Sequence, residues 1–180
     1  MLFDFIDAPL AGLKLLRPMT RPDARGSFTK LFHAPTFEQS GLTTEFPEQY
    51  ITISRRDVLR GMHFQRPPDD HAKIVYCVQG SVLDVVLDIR KSSPTYGKTY
   101  SAELNGDSLS GIYIPKGFAH GFLTLTEEAS LLYLVETVHA PQLDAGIHWS
   151  SFGFEWPATS PLTSQRDANL PQWDSFISDF

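Results

Sequence analysis

The sequence predicts an all-β domain, built as a sandwich, jelly roll or barrel. Three observations carry that prediction. Short segments of alternating apolar and polar residues recur roughly every 8 to 12 residues. Glycine, proline, Asn-Gly and Ser-Pro signals separate them. Nowhere does a long amphipathic stripe of helical period intervene.

Taken in order, residues 10–16 form an edge strand and its approach, and 21–26 read as a turn. Residues 27–33 form a strand, and 36–41 a helical turn closed by Gly41. Residues 48–54 alternate cleanly, which assigns Ile51 and Ile53 to the core and Glu48, Tyr50, Thr52 and Ser54 to the other face. Strands follow at 73–79, 82–89, 101–104, 112–115, 121–126 and 130–137, with turns at Gly80, Ser92-Ser93-Pro94, Asn105-Gly106-Asp107, Lys116-Gly117 and Glu127-Glu128. From Pro157 onward the chain is polar and proline-rich, as expected of a loop and short helix wrapping the barrel. No repeat or linker divides the chain, so residues 1–180 are expected to form one domain.

At 180 residues, with 42% hydrophobic and 20% charged residues, the composition is that of an ordinary globule with a sizeable core. A formal net charge of -6 argues against a nucleic-acid or acidic-membrane partner, while leaving room for a locally basic pocket. The single cysteine, Cys77, has no internal disulfide partner and lies between Tyr76 and Val78 in a strand pattern. The start carries acids where an export signal carries basic residues, and no apolar run approaches the roughly 20 residues that span a bilayer. The expected location is the cytoplasm.

Residues 60–73 concentrate reactive side chains. His63 suits a general base, since imidazole titrates near neutral pH. Arg60, Arg66 and Lys73 suit an anion or a developing oxyanion, and Pro67-Pro68 stiffens the link between two strands. A lone histidine beside Phe64 also fits a structural role. On a strict period of two, His63 shares a face with Gly61 and Gln65, and Arg60 shares the opposite one with Met62 and Phe64. Either Gly61 marks a bulge that re-aims the chain, or Arg60 serves a different surface such as a neighbouring subunit's pocket.

His120, bracketed by Gly117 and Gly121, is a second candidate at the start of a strand. Two histidines on neighbouring strands raise the pattern of a metal-binding cupin. That pattern needs a His-x-His pair, and none of the six histidines lies two residues from another, so no metal is expected. Tyr133 in a buried-strand pattern reads as a core aromatic as readily as a site residue. Asp84 and Asp88 share a face that either lines the interior or meets solvent, and Asp167 reads as a cap or turn residue.

The runs Asp23-Ala-Arg-Gly-Ser-Phe28, Leu59-Arg-Gly-Met-His-Phe-Gln65, Lys73-Ile-Val75, Ser93-Pro-Thr-Tyr-Gly97, Pro115-Lys-Gly-Phe-Ala-His-Gly-Phe122, Tyr133 and Trp156-Pro157, with residues 84–90 and 164–171, occur in one order across nearly the whole chain. Together they resemble the nucleotide-sugar epimerase family typified by dTDP-4-dehydrorhamnose 3,5-epimerase. The resemblance implies a cupin-like jelly roll with short peripheral helices, a homodimer, and no metal or other cofactor. It implies epimerisation at C3, C5 or both of a nucleoside-diphosphate-linked 4-keto-6-deoxyhexose, in making a deoxysugar for a polysaccharide or glycosylated metabolite. In that family's terms His63 matches the general base, Asp167 its partner, Lys73 the group that stabilises the enolate, and Tyr133 the acid on the opposite face. Arg25, Phe28, Arg60 and His120 match substrate contacts.

Departures from the family's pattern cluster around the ligand. Glu48 and Tyr50 stand where the family usually has Gln and Asn, Lys30 where it has Glu, and Val138-His139 where it has a tyrosine pair, one of which stacks on thymine. Arg166, in place of a lysine, preserves a cation. These departures predict altered nucleotide selection, with His139 a substitute for the lost stacking ring. Two other classes remain at this stage, a metal-dependent cupin enzyme and a noncatalytic sugar-nucleotide binding module.

Overall fold

A computed structural model describes residues 2–180. The first strands are β1 (Phe3–Asp7), β2 (Lys14–Pro18), β3 (Thr20–Asp23) and β4 (Gly26–Thr29), followed by helix α1 (Ala34–Gln39). Next come β5 (Glu48–Arg55), β6 (Leu59–Gln65), β7 (Lys73–Gln79), β8 (Ser81–Asp88) and β9 (Thr99–Asn105). They lead to β10 (Gly111–Ile114), β11 (Phe118–Thr124), β12 (Glu128–Val135) and β13 (Asp144–Gly146). A short helix α2 (Gln165–Ala168) and a 3-10 turn at Trp173–Ser175 lie in the tail.

The strands form a six-stranded sheet in the order β1-β2-β10-β7-β12-β5 and a five-stranded sheet in the order β13-β6-β11-β8-β9. Each named pairing is antiparallel, as in the central β12–β7 and β11–β8 ladders. Val75, Cys77, Leu131 and Tyr133 of the first sheet pack against Val82, Val86, Phe118 and Phe122 of the second in one shared core. The fold is therefore an all-β, cupin-like jelly roll with short peripheral helices.

Each sheet also has a covered outer face. Ile74, Tyr76 and Leu134 point outward from the first sheet into a cluster with Phe3, Leu16 and Phe37 of α1. Val85, Leu87, Ala119 and Leu123 point outward from the second into Trp156 and tail aromatics that include Trp173 and Phe180. Burial on both faces explains why these strands read as nearly continuous apolar runs. Each fully buried large side chain contributes roughly 2 kcal/mol of transfer free energy.

The tail is pinned as well as packed. Asp88, fully buried, accepts hydrogen bonds from Arg90 Nη2 at 2.7 Å, Ser93 Oγ at 2.6 Å and Thr95 Oγ1 at 2.7 Å. Burial works against its ionised form, but these donors prevail and hold its pKa down at about 2. The segment they organise receives the chain end, where Lys91 N donates to Phe180 O at 3.0 Å.

Three expectations are corrected. The edge of the first sheet is β1, and β2 lies between β1 and β10, because Phe3 and Phe5 dock edge-on against Phe37 and draw the N-terminal segment into the sheet. Residues 21–26 are more than a turn: β3 and β4 pair as a separate hairpin, and the strand expected over 27–33 ends at Thr29. Ile51 and Ile53 do not enter the core, being 59% and 60% exposed. The register places Tyr50 opposite Tyr133, so the inward face of β5 is the polar one.

Candidate active site

A cavity of about 210 Å³ opens between the two sheets. The first sheet lines it with Tyr50, Thr52, Lys73 and Tyr133, and the second with Arg60, His63, His120 and Phe122. A second cavity of about 180 Å³ shares Tyr50, His63 and Lys73 with it and extends to Gln65, His71, His139, Asp144 and Arg166.

Arg60 and His63 reach one cavity through a bulge. His63 lies opposite His120 and Arg60 opposite Phe122, so three steps along β6 match two along β11. Gly61 makes this possible, with φ at +129° and its Cα so close to β11 that a Cβ would fall 2.5 Å from the Gly121 Cα. Of the two sequence alternatives for Arg60, the structure has the bulge. Arg60 is then steadied by Nε donating to Ser54 Oγ at 2.9 Å.

His63 Nε2 is 2.7 Å from Asp167 Oδ1. Asp167 sits in α2, whose N-cap Ser164 accepts from the Asp167 backbone N–H, and its other oxygen accepts from Gly61 N–H at 3.2 Å. Burial opposes ionisation of Asp167, yet the His63 hydrogen bond, the His63 charge and the Gly61 donor hold its carboxyl below the usual range. The neighbouring Arg166 pairs with Asp144 at 2.7 Å, and its Nη1 lies 3.4 Å from His63 Nε2.

Lys73 is 8% exposed, and burial pushes its ammonium down to about 8 against the opposing pull of Asp84 and Asp144. Tyr133 is raised well above an ordinary phenol by burial, with Tyr50 and Asp84 adding to the effect, so it is a neutral O–H at physiological pH. The Tyr50 ring stacks on Tyr133 with centroids 4.7 Å apart. His120 Nε2 is 2.8 Å from Asp84 Oδ2, and burial outweighs that carboxylate and lowers the imidazole pKa. Glu48 borders the second cavity indirectly, its Oε2 accepting from His139 N–H at 2.7 Å.

Nine of the sequence-predicted site residues thus line the two cavities: His63, Lys73, Tyr133, Tyr50, Arg60, His120, His139 and Arg166 directly, with Asp167 bonded to His63. Arg25 and Phe28 are not brought there. They lie on the β3–β4 hairpin, where Arg25 pairs with Asp23 at 2.6 Å and Phe28 is 62% exposed, because that hairpin pairs only with itself. Thr52 and Phe122 of the first cavity and Phe64, Gln65, His71 and Asp144 of the second were missed. Thr52 follows from the parity of Tyr50 once the register is known, whereas nothing in the local sequence marks Asp144.

Among the described residues, no group of three or more His, Cys, Asp or Glu side chains is arranged to hold a metal ion. No described helix is long and apolar enough to cross a membrane.

The sequence profile of the dTDP-4-dehydrorhamnose 3,5-epimerase family matches residues 7–175. The chain belongs to this family. It is accordingly an isomerase that epimerises deoxysugar nucleotides. A dTDP-4-dehydrorhamnose 3,5-epimerase from Shigella flexneri is 38% identical over 167 residues, which cover 91% of this chain and 92% of that one. The crystal structure of an epimerase from Legionella pneumophila in complex with dTDP-4-keto-L-rhamnose superposes with a TM-score of 0.92 at 31% identity, covering 97% and 95% of the two chains. A 3'-monoepimerase from Streptomyces bikiniensis in complex with dTDP-quinovose gives 0.88 at 31% identity, covering 93% and 86%. The family thus includes enzymes named for one inverted centre and for two.

Proposed function

We propose that this epimerase takes a nucleoside-diphosphate-linked 4-keto-6-deoxyhexose, with the sugar in the cavity between the sheets. One observation carries the reading: His63 and Tyr133 project into the same cavity from opposite sheets, with Lys73 beside them. Inversion at carbon needs a base on one side of the sugar ring and an acid on the other.

The C4 ketone acidifies the hydrogens on C3 and C5. With Nε2–H donating to Asp167, Nδ1 is the nitrogen left to accept a substrate proton, and Asp167 favours the imidazolium that forms. The electron pair moves to the C4 oxygen, where the Lys73 ammonium stabilises the enolate in a water-poor site. Tyr133 then donates its O–H to the same carbon from the opposite side, after which its phenolate recovers a proton from solvent and the His63 imidazolium releases one to it. Arg60 and Arg166 hold the diphosphate, and Glu48, Tyr50, His120 and His139 contact the sugar and nucleotide. No metal or organic cofactor takes part, and the setting is the cytoplasm.

Arg25 and Phe28 enter this scheme through a homodimer, in which the β3–β4 hairpin of one subunit lies over the cavity mouth of the other. Their exposed positions support that reading, as do the exposed Ile51 and Ile53 on edge strand β5 beside Tyr50.

Heavy-water incubation with dTDP-, CDP- and GDP-linked 4-keto-6-deoxysugars tests the reading, because NMR locates each deuterium. Wild type incorporates deuterium and inverts at C3, C5 or both. Tyr133→Phe exchanges without inverting, and His63→Asn does neither. Binding without exchange by wild type leaves a noncatalytic binding module instead.

A further inference from the structure

The cavity contains a second histidine–carboxylate pair, whose carboxylate, Asp84, the scheme above leaves without a task. His120 lies directly opposite His63 in the β6–β11 register. Its Nε2 is held at 2.8 Å by Asp84 Oδ2, and both side chains are almost fully buried, at 4% and 1% exposure. The other carboxylate oxygen, Asp84 Oδ1, is buried with no hydrogen-bond partner among the described residues. Leaving a buried carboxylate oxygen unpaired is costly, so its retention asks for a compensating role.

The surroundings of Lys73 supply one. Facing it are Arg60 and His63 on β6, His120 on β11, Tyr50 on β5, Tyr133 on β12, His71 just ahead of β7, His139 beyond β12, Arg166 on α2, Asp84 on β8 and Asp144 on β13. Only the last two bring negative charge. Asp144 is already paired with Arg166 at 2.7 Å, and Asp167 is committed to His63 and the Gly61 N–H. Among the described residues Asp84 alone keeps a buried carboxylate oxygen without a hydrogen-bond partner. Lys73 itself forms no ion pair among the described residues, which leaves its N–H donors for substrate.

We infer that Asp84 is a positioning residue for the enolate step: one oxygen fixes the His120 ring, and the field of the other holds the positive charge on Lys73. The inference rests on the assignment of Lys73 as the enolate-stabilising group. It assigns Asp84 no contact with the sugar and no share in proton transfer. A neutral His120 that gives Nε2–H to Asp84 turns Nδ1, an acceptor, away from that bond, and so presents a lone pair to a sugar hydroxyl.

The test is the pH dependence of kcat in wild type and Asp84→Asn, which keeps the shape and removes the charge. Without Asp84 the Lys73 ammonium is less favoured, so the alkaline limb moves to lower pH. A displacement of about one pH unit lowers kcat about fivefold at pH 8, and the two enzymes converge toward pH 6, where Lys73 is charged in both. Asp84→Glu, which keeps the charge, leaves the limb near its wild-type position. Titration of Lys73 by its 13Cε NMR signal follows the same displacement without any turnover. If Asp84→Asn loses the fold, Asp84→Ser, which leaves room for water, carries the same two measurements.

A limb and a Lys73 titration that stay in place in a folded, charge-free variant overturn the inference, as does a loss of kcat equal at every pH. Failure of the underlying reading looks different: Lys73→Met then keeps near-native turnover whatever Asp84 does.

Discussion

The charge on Lys73 sets the pH range in which the enolate can be stabilised. Burial has brought its pKa down to about 8, so the ammonium is present below that value and is lost as pH rises through it. The expected kcat profile therefore falls on the alkaline side near pH 8, and in Lys73→Arg, if active, the fall is absent because guanidinium stays charged. A profile flat to pH 10 in wild type would exclude Lys73 from the rate-determining step. His63→Asn removes the base and should lower kcat by about 10²- to 10⁴-fold, whereas Asp167→Asn, which disturbs the ring's orientation without removing the acceptor, should cost less. Equal losses would mean that Asp167 does more than orient. His63 and Lys73 were legible in the sequence because their chemistry is distinctive and they sit at strand positions, whereas Asp167 of α2 read as a cap or turn residue and was reached through the family resemblance. Asp144 was not legible, since one aspartate in a short strand looks like any other until Arg166 of α2 folds onto it.

The strand β6 shows how an element can defeat its own periodicity. Alternation alone puts Arg60 and His63 on opposite faces, and the bulge at Gly61 brings them together. Gly61→Ala would combine a positive φ with a Cβ 2.5 Å from the Gly121 Cα, neither of which can yield without moving β6 from β11. It should destabilise the protein by about 2 kcal/mol or more and remove activity beyond that loss of stability, read by thermal melting and by kcat of the folded fraction. A stable, active Gly61→Ala variant would show that the bulge is unnecessary. Strand β5 gives the complementary lesson. Its alternation was correctly read, but the choice of inward face followed the rule that apolar residues go inside. A cavity built for a polar ligand inverts that rule, so Tyr50 and Thr52 line the interior while Ile51 and Ile53 face out. The hairpin β3–β4 escaped a strand assignment for a related reason: with no sheet behind it, all but one of its residues are exposed, and its sequence reads as a turn.

At the scale of the whole molecule, the sandwich supplies a base and an acid on facing sheets, while ligand selection falls to its rim and, in the proposed homodimer, to a second copy. The exposed Val138 and the neighbouring His139 stand where a thymine-stacking tyrosine is expected, and such stacking is worth only about 0.5 to 1.5 kcal/mol beyond burial. Preference for dTDP should therefore weaken by roughly tenfold at most, and comparison of kcat/KM for dTDP- and CDP-linked forms of one sugar measures it. An advantage for the thymidine form on the order of a hundredfold would falsify that expectation. The dimer has a sharper test. If the hairpin of each subunit completes the other's cavity, Arg25→Ala removes a substrate contact from the partner's site and His63→Asn removes the base from its own. Each homodimer is impaired at both sites. Mixing the two variants under exchange, however, makes heterodimers in which the cavity with a native His63 is covered by a hairpin with a native Arg25, and the opposite cavity carries both defects. A random one-to-one mixture then regains about a quarter of the wild-type sites, from two inactive or weakened parents. A hairpin that served its own subunit would leave every cavity with one defect, and mixing would restore nothing.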